Sequence, residues 1–268
     1  MLHYNFYESK QESNTLLIML HGFISDQHAF DYHVDVLSNQ MNIVTIDLPG
    51  HGEDNSNFEY DWSFDFINQQ LDDTLQQFES YQLFLHGYSM GGRVALNYAL
   101  TYSDKLKGLI LESTSPGIAQ ADDREERMQV DNARAKVLDI AGLEIFVNDW
   151  EKLPLFYTQY ELPQETRKRI RDMRMRQQPQ RLAKALRGYG TGQMPNLWPK
   201  LSQLTLPTCL IVGELDKKFI DIASKMEKEL NTVQIHEVLN SGHTVHVEDE
   251  VEFDKIVLGF IQKEEQND

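Results

Sequence analysis

Gly87-Tyr88-Ser89-Met90-Gly91 is the stretch that decides the fold. It has the form G-x-S-x-G, with an apolar run (residues 82–85) before it and a helical pattern (residues 91–102) after it. A strand that turns at once into a helix around a serine holds that serine backbone in strain. Small residues two before and two after let the turn close, and Gly92 eases packing further. The serine hydroxyl then stands above the sheet at a helix N-terminus, where developing negative charge is favoured.

Outward from this turn the same rhythm repeats. Residues 16–20, 43–46, 108–111 and 208–212 are short continuous apolar runs, as strands buried on both faces require. Residues 4–9 and 233–238 alternate in polarity and read as further strands. Helical patterns cover residues 64–78, 220–230 and 251–262. Strands alternating with helices predict an α/β fold with a mostly parallel sheet covered on both faces. The rhythm breaks after Ser115-Pro116-Gly117. Residues 122–137, 142–153, 163–175 and 182–189 read as helices, and strands resume after Leu206-Pro207. The predicted organisation is an α/β-hydrolase core, residues 1–116 and 201–268, with a helical cap, residues 117–200, inserted. The polar tail, residues 263–268, reads as frayed.

A serine is a weak nucleophile or base at neutral pH and needs a partner. On this fold the chain order is serine, then acid, then histidine. Three histidines follow Ser89: His236, His243 and His246. His243 is preferred, because it follows Ser241-Gly242 in the loop after a strand, at the sheet edge where sites form. His236 lies within a strand, and His246 reads as a surface or pocket-wall residue near the start of the last helix. The acid should follow a late strand, where both Glu214 and Asp216 stand. Asp216 lies further into the loop and is preferred, to fix the imidazole tautomer. Two backbone N–H groups must converge on the developing oxyanion. Met90 supplies one. Phe23, after the sharp bend at Gly22, supplies the other. His21 and His51 read as structural. No metal-ligand spacing, dinucleotide fingerprint or phosphate loop is present, so neither metal nor cofactor is expected.

The net charge of −17 argues against nucleic acid and anionic membranes as partners. Its distribution says more. Ten of the 11 arginines lie between Arg124 and Arg187. Residues 117–200 carry 15 basic and 12 acidic side chains, a balance of +3, so the remainder is −20. Most of these arginines read as a solvated face, while a few suit an anionic, carboxylate-bearing substrate. No apolar run is long enough to cross a bilayer, residues 1–10 do not read as a secretory leader, and Cys209 is the single cysteine. The cytoplasm is the expected location. Oligomeric state is not legible.

The elbow with Arg93 behind it, His21-Gly22-Phe23, and Ser241-Gly242-His243 resemble the α/β-hydrolase superfamily. A narrower set resembles the 2-succinyl-6-hydroxy-2,4-cyclohexadiene-1-carboxylate synthase family of menaquinone biosynthesis. That set is Ser115-Pro116-Gly117, Asp149-Trp150 with Leu153-Pro154-Leu155-Phe156, and Gly213-Glu214-Leu215-Asp216-Lys217-Lys218-Phe219, together with Arg93. The resemblance implies a lyase that eliminates pyruvate from a cyclohexene polycarboxylate, using Ser89, His243 and Asp216 as a base and no cofactor. It also implies substrate contacts from Arg93, Arg127 and Arg174, with Arg171 and Arg176 as alternatives to the last, and a pocket lined by Tyr88 and Trp150. Simple packing of cap on core explains Trp150 equally well. The chain departs from many relatives after Phe23, carrying Ile24-Ser25 where they carry Gly and Ser. A serine hydrolase would share every catalytic residue and differ in an apolar pocket. A non-catalytic binding protein would have lost a triad member, and none is missing.

Overall fold

The computed structural model describes residues 1–266. Its strands and helices run β1 (His3–Tyr7), β2 (Thr15–Leu20), α1 (Asp31–Leu37), β3 (Asn42–Asp47), α2 (Phe64–Leu75), β4 (Gln82–Tyr88), α3 (Met90–Thr101) and β5 (Gly108–Glu112). Four helices follow without a strand: α4 (Ala121–Ile140), α5 (Leu143–Trp150), α6 (Gln164–Met175) and α7 (Pro179–Tyr189). The chain then returns through β6 (Thr208–Gly213), α8 (Lys217–Glu229), β7 (Val233–Val238), α9 (Val245–Glu248) and α10 (Glu250–Glu265).

The seven strands form one sheet in the order β1-β3-β2-β4-β5-β6-β7. Only the β1–β3 pairing is antiparallel. This is the α/β-hydrolase architecture that the apolar runs predict. Every residue of β2, β3, β5 and β6 is buried, because helices cover both faces. On one face α2, α3 and α8 pack Leu71, Val94, Ala95 and Met226 against Leu16, Ile18 and Leu85. On the other, α1 and α10 pack Val34, Leu37, Phe253 and Val257 against Leu17, Met19 and Ile110. Parallel register brings the strand ends level, pairing Leu20 with Gly87, Tyr88 with Glu112, and Gly213 with Val238. The loops after β2, β4, β6 and β7 therefore leave from one edge of the sheet.

The helices between β5 and β6 have their own small core, in which Ala135, Leu138, Phe146, Val147, Leu182 and Leu186 gather around Ile24. Two expectations need correcting. The tail is not frayed from Lys263, since α10 continues to Glu265; Asn267 and Asp268 lie outside the described residues. Residues 142–153 are not one helix: α5 stops at Trp150, and Pro154, whose ring lacks an N–H, opens a 3-10 segment, Pro154–Glu161.

Candidate active site

At the elbow Ser89 has φ 49° and ψ −102°, a left-handed conformation that costs an L-residue energy. The surroundings hold it there. Its N–H donates to the Glu112 carbonyl at 2.8 Å, and its carbonyl accepts from the Thr114 hydroxyl at 2.7 Å and the Arg93 N–H at 3.1 Å. The flanking glycines are needed because backbone crowds them. A Cβ on Gly87 would lie 2.4 Å from the Gly91 carbonyl oxygen, and one on Gly91 would lie 2.3 Å from that of Leu20.

The structure brings Ser89, His243 and Asp216 together. His243 Nδ1 lies 2.6 Å from Asp216 Oδ2, and Nε2 lies 3.1 Å from Ser89 Oγ. With Nδ1–H donating to the carboxylate, Nε2 is left to accept the serine proton. Both His243 and Asp216 are buried. Glu214, the other acid considered, accepts the Asn240 N–H instead. The loop carrying His243 is clamped from below, where the Glu248 carboxylate accepts the N–H groups of Gly242 at 2.7 Å and Thr244 at 3.1 Å.

His246 is not at the surface. Its ring Nδ1 and backbone N–H donate to buried Glu112 at 2.8 and 3.0 Å, and His86 Nε2 donates to the other oxygen at 3.2 Å. Burial alone would raise the Glu112 carboxyl, yet the two imidazoles hold it well below the ordinary carboxylate range. His21 accepts the Leu48 N–H at 3.0 Å and donates to the Gly22 carbonyl at 2.7 Å, which fixes the loop after β2. In that loop the Phe23 N–H, like that of Met90, has no protein acceptor among the described residues. Ile24 has φ 57°, unusual for a β-branched side chain, and is almost fully buried in the core of the four helices. Ser25 touches Met173 and lines the cavity.

Above Ser89 opens a cavity of about 1140 Å³, lined by both the sheet edge and the helices of residues 121–189. Tyr88 and Trp150 form part of its wall. The Tyr88 ring packs 4.7 Å from His246 and 5.4 Å from His243, and its hydroxyl lies 3.0 Å from Thr244 Oγ1. Trp150 both lines the cavity and packs across to the core, 5.1 Å from the Phe23 ring.

Eight lysines and arginines line this cavity, and most are already neutralised. Arg127 is held by Asp131 at 2.8 Å, Arg174 by Glu151 at 3.2 Å, Arg176 by Asp26 at 3.6 Å and Arg169 by Glu250 at 3.1 Å; Lys168 pairs with Asp172. Arg171 pairs with Glu151 as well and does not line this cavity. Arg93, Arg134 and Lys218 remain, with no salt bridge among the described residues; Asp131 acts on the two arginines, and Asp216 on Lys218, only at longer range. Arg93 Nε is buried with no hydrogen bond at all. Burial, with Arg127 nearby, brings the Arg93 guanidinium down to about 10. Burial also lowers Arg134 and Lys218. Sequence reasoning missed the last two. The spacing of Arg127, Asp131 and Arg134, at i, i+4 and i+7, would have placed all three on one helix face.

The hydrogen-bonded relay, the paired N–H groups and the cationic cavity together define a site for proton abstraction or acyl transfer with charge developing on an oxygen. The model of the Alpha/beta hydrolase family matches residues 17–255, and the chain belongs to that family. Within it, the chain is 37% identical over 246 residues to the putative 2-succinyl-6-hydroxy-2,4-cyclohexadiene-1-carboxylate synthase of Bacillus subtilis (strain 168), covering 91% of this chain and 89% of that one. It is 31% identical to the synthase of that name from Photorhabdus laumondii, over 91% and 84% of the two chains. It is similar to the solved structure of MenH from S. aureus, with 51% identity, a TM-score of 0.97, and 99% and 100% of the two chains covered. A thermophilic esterase from Thermogutta terrifontis, at 22% identity and a TM-score of 0.83, shares the fold.

Proposed function

We propose that this chain is a 2-succinyl-6-hydroxy-2,4-cyclohexadiene-1-carboxylate synthase, a lyase of menaquinone biosynthesis that eliminates pyruvate from 2-succinyl-5-enolpyruvyl-6-hydroxy-3-cyclohexene-1-carboxylate. The observation that carries this reading is the set of three cavity cations without a salt bridge, Arg93, Arg134 and Lys218, beside the Ser89–His243 pair. A substrate with three carboxylates suits that set. A neutral ester would leave it uncompensated, at the cost of keeping buried charge apart from any counter-ion.

The positions of the double bonds define the chemistry. The substrate has its alkene at C3, and the product has alkenes at C2 and C4. A proton therefore leaves C2, the electrons of that bond form C2=C3, the old alkene moves to C4=C5, and the C5–O bond breaks. Ser89, deprotonated by His243 Nε2, takes the C2 proton. That carbon is next to the succinyl ketone, so charge passes through the ketone oxygen, which the N–H groups of Phe23 and Met90 receive. The enolpyruvyl group departs as the enolate of pyruvate and takes a proton from the imidazolium, which restores the relay. Asp216 holds the tautomer and supports the imidazolium. Tyr88 and Trp150 shape the wall, Arg93 addresses one carboxylate, and Arg127 and Arg174, which keep Asp131 and Glu151 as partners, line the same cavity. Residues 117–200 act as one cap over the site. No described helix is long and apolar enough to cross a membrane. The reading places the reaction in the cytoplasm, with a small polycarboxylate as partner and no cofactor.

The test is pyruvate release from this substrate, followed beside hydrolysis of a neutral p-nitrophenyl ester. Stoichiometric pyruvate with little ester turnover is expected. Fast ester turnover without pyruvate would replace this reading with a serine hydrolase.

A further inference from the structure

Arg134 stands out among the cavity cations. It lies on the same face of α4 as Arg127, and both oxygens of Asp131 between them already accept a hydrogen bond. One Asp131 oxygen accepts from Arg127 Nε at 2.8 Å and the other from the Gly192 N–H at 3.1 Å. Arg134 makes no salt bridge of its own, and Asp131 acts on it only at longer range. Its guanidinium carbon lies over the Trp150 ring at 5.3 Å, and it donates no hydrogen bond among the described residues. The Trp150 ring in turn lies 5.1 Å from that of Phe23, whose N–H belongs to the proposed oxyanion hole. A line of two ring contacts thus runs from Arg134 to the place where the ketone oxygen is received.

We infer that Arg134 is a specificity-determining residue that binds the terminal carboxylate of the substrate's succinyl arm. This rests on the reading of the reaction given above. The succinyl arm carries its ketone and its carboxylate at opposite ends of a two-methylene spacer. With the ketone oxygen at Phe23 and Met90, the spacer spans the Trp150 face and the carboxylate meets Arg134. Arg174 is a weaker claimant, since Glu151 and Gln159 already accept its N–H groups at 3.2 and 3.0 Å. Lys218 lies elsewhere, over the Phe219 ring at 5.6 Å, and that ring packs on His243 at 4.7 Å. Lys218 is thus beside the reacting centre, not at the end of the arm. A guanidinium that is desolvated before ligand arrives gains most from an anion, so an arm lacking the carboxylate leaves the penalty in place.

Two aryl ketones isolate the arm: 4-oxo-4-phenylbutanoate, which keeps ketone, spacer and carboxylate, and butyrophenone, which replaces the carboxylate with a methyl. Their inhibition constants are measured on the full chain and on Arg134→Met and Arg134→Lys, with thermal melting as the fold control. The wild type should favour the acid by about 10- to 100-fold, the range for a hydrogen-bonded charge pair. Arg134→Met should abolish that preference by weakening the acid alone, and Arg134→Lys should recover part of it. A wild type indifferent to the carboxylate, or an Arg134→Met variant that melts normally and retains the preference, overturns the inference. The elimination reading fails separately. If the wild type and variant separate the two ketones as stated but no pyruvate is released from the tricarboxylate, the arm-binding role stands and the reaction assignment falls.

Discussion

Gly22→Ala tests the oxyanion loop with a single methyl group. A Cβ at Gly22 would lie 2.5 Å from Tyr88 Cε1 and 2.7 Å from Cδ1, where ordinary contact begins at 3.4 Å. One of the two partners must move by nearly an ångström. Tyr88 cannot easily yield, because its ring is packed on His246 and His243 and its hydroxyl is bonded to Thr244. The loop therefore moves, and it takes the Phe23 N–H with it. Overpacking of this kind costs about 1–3 kcal/mol of stability. A displacement near 1 Å costs about 100-fold in rate, and complete loss of one oxyanion donor about 100- to 1000-fold. The expected result is a kcat for pyruvate release lowered by about two orders of magnitude, with KM changed by less than about 3-fold, because the cationic wall is untouched. A companion substitution, Tyr88→Leu, should restore part of kcat in the Gly22→Ala background, showing strong non-additivity. Near-wild-type kcat in the single variant, with normal melting, would refute the placement of the second donor at Phe23.

Other perturbations read different parts of the site. Ser89→Ala should lower pyruvate release by at least about 1000-fold with melting unchanged, and Asp216→Asn by about 10,000-fold, since an amide leaves His243 in the wrong tautomer; retained turnover in either would dismiss the relay. Arg93 is a cation whose folded value, about 10, lies below its ordinary one. Burial therefore disfavours the charged form, and its charge weakens the fold below pH 10, with relief as pH rises through that value. Arg93→Met should accordingly raise the melting temperature at pH 7 by about 2–4 °C while crippling use of the tricarboxylate, and a lower melting point would contradict the argument. Ile24→Gly should relieve backbone strain of about 1–3 kcal/mol yet lose about 2–5 kcal/mol of buried packing, lowering the melting temperature modestly. Its signature would be a lower kcat, from a loop no longer pinned to the helices above it, and unaltered kcat would dismiss that coupling.

The elements easiest to read were those in which a single force dominates. β2, β3, β5 and β6 are buried on both faces, so their sequences are continuous apolar runs. Ser89, Asp216 and His243 were readable because turn chemistry and chain order constrain them more tightly than packing does. The helices over the site were harder. The face of α4 that looks into the cavity must be charged, so Arg127, Asp131 and Arg134 interrupt the apolar stripe that would have given its phase. That is why Arg134 was passed over in favour of Arg174, whose charge Glu151 offsets. The short α1 escaped notice, because seven residues give too little periodicity to detect. Glu112 gave no signal either. It closes an apolar run, and its partners His86 and His246 are 26 and 134 residues away in the chain.

A net charge of −17 on a chain whose hollow holds three cations without a salt bridge makes the enzyme a barrier before it is a trap. A trianion approaching from bulk water meets repulsion once it comes within a Debye length, about 8–10 Å in ordinary salt. Modest salt lowers that outer hill and hastens entry, while more salt competes for the guanidinium groups within. Flux at low substrate should therefore pass through an optimum as ionic strength increases. Departing product, still an anion, should be hurried outward by the same field that slowed its arrival.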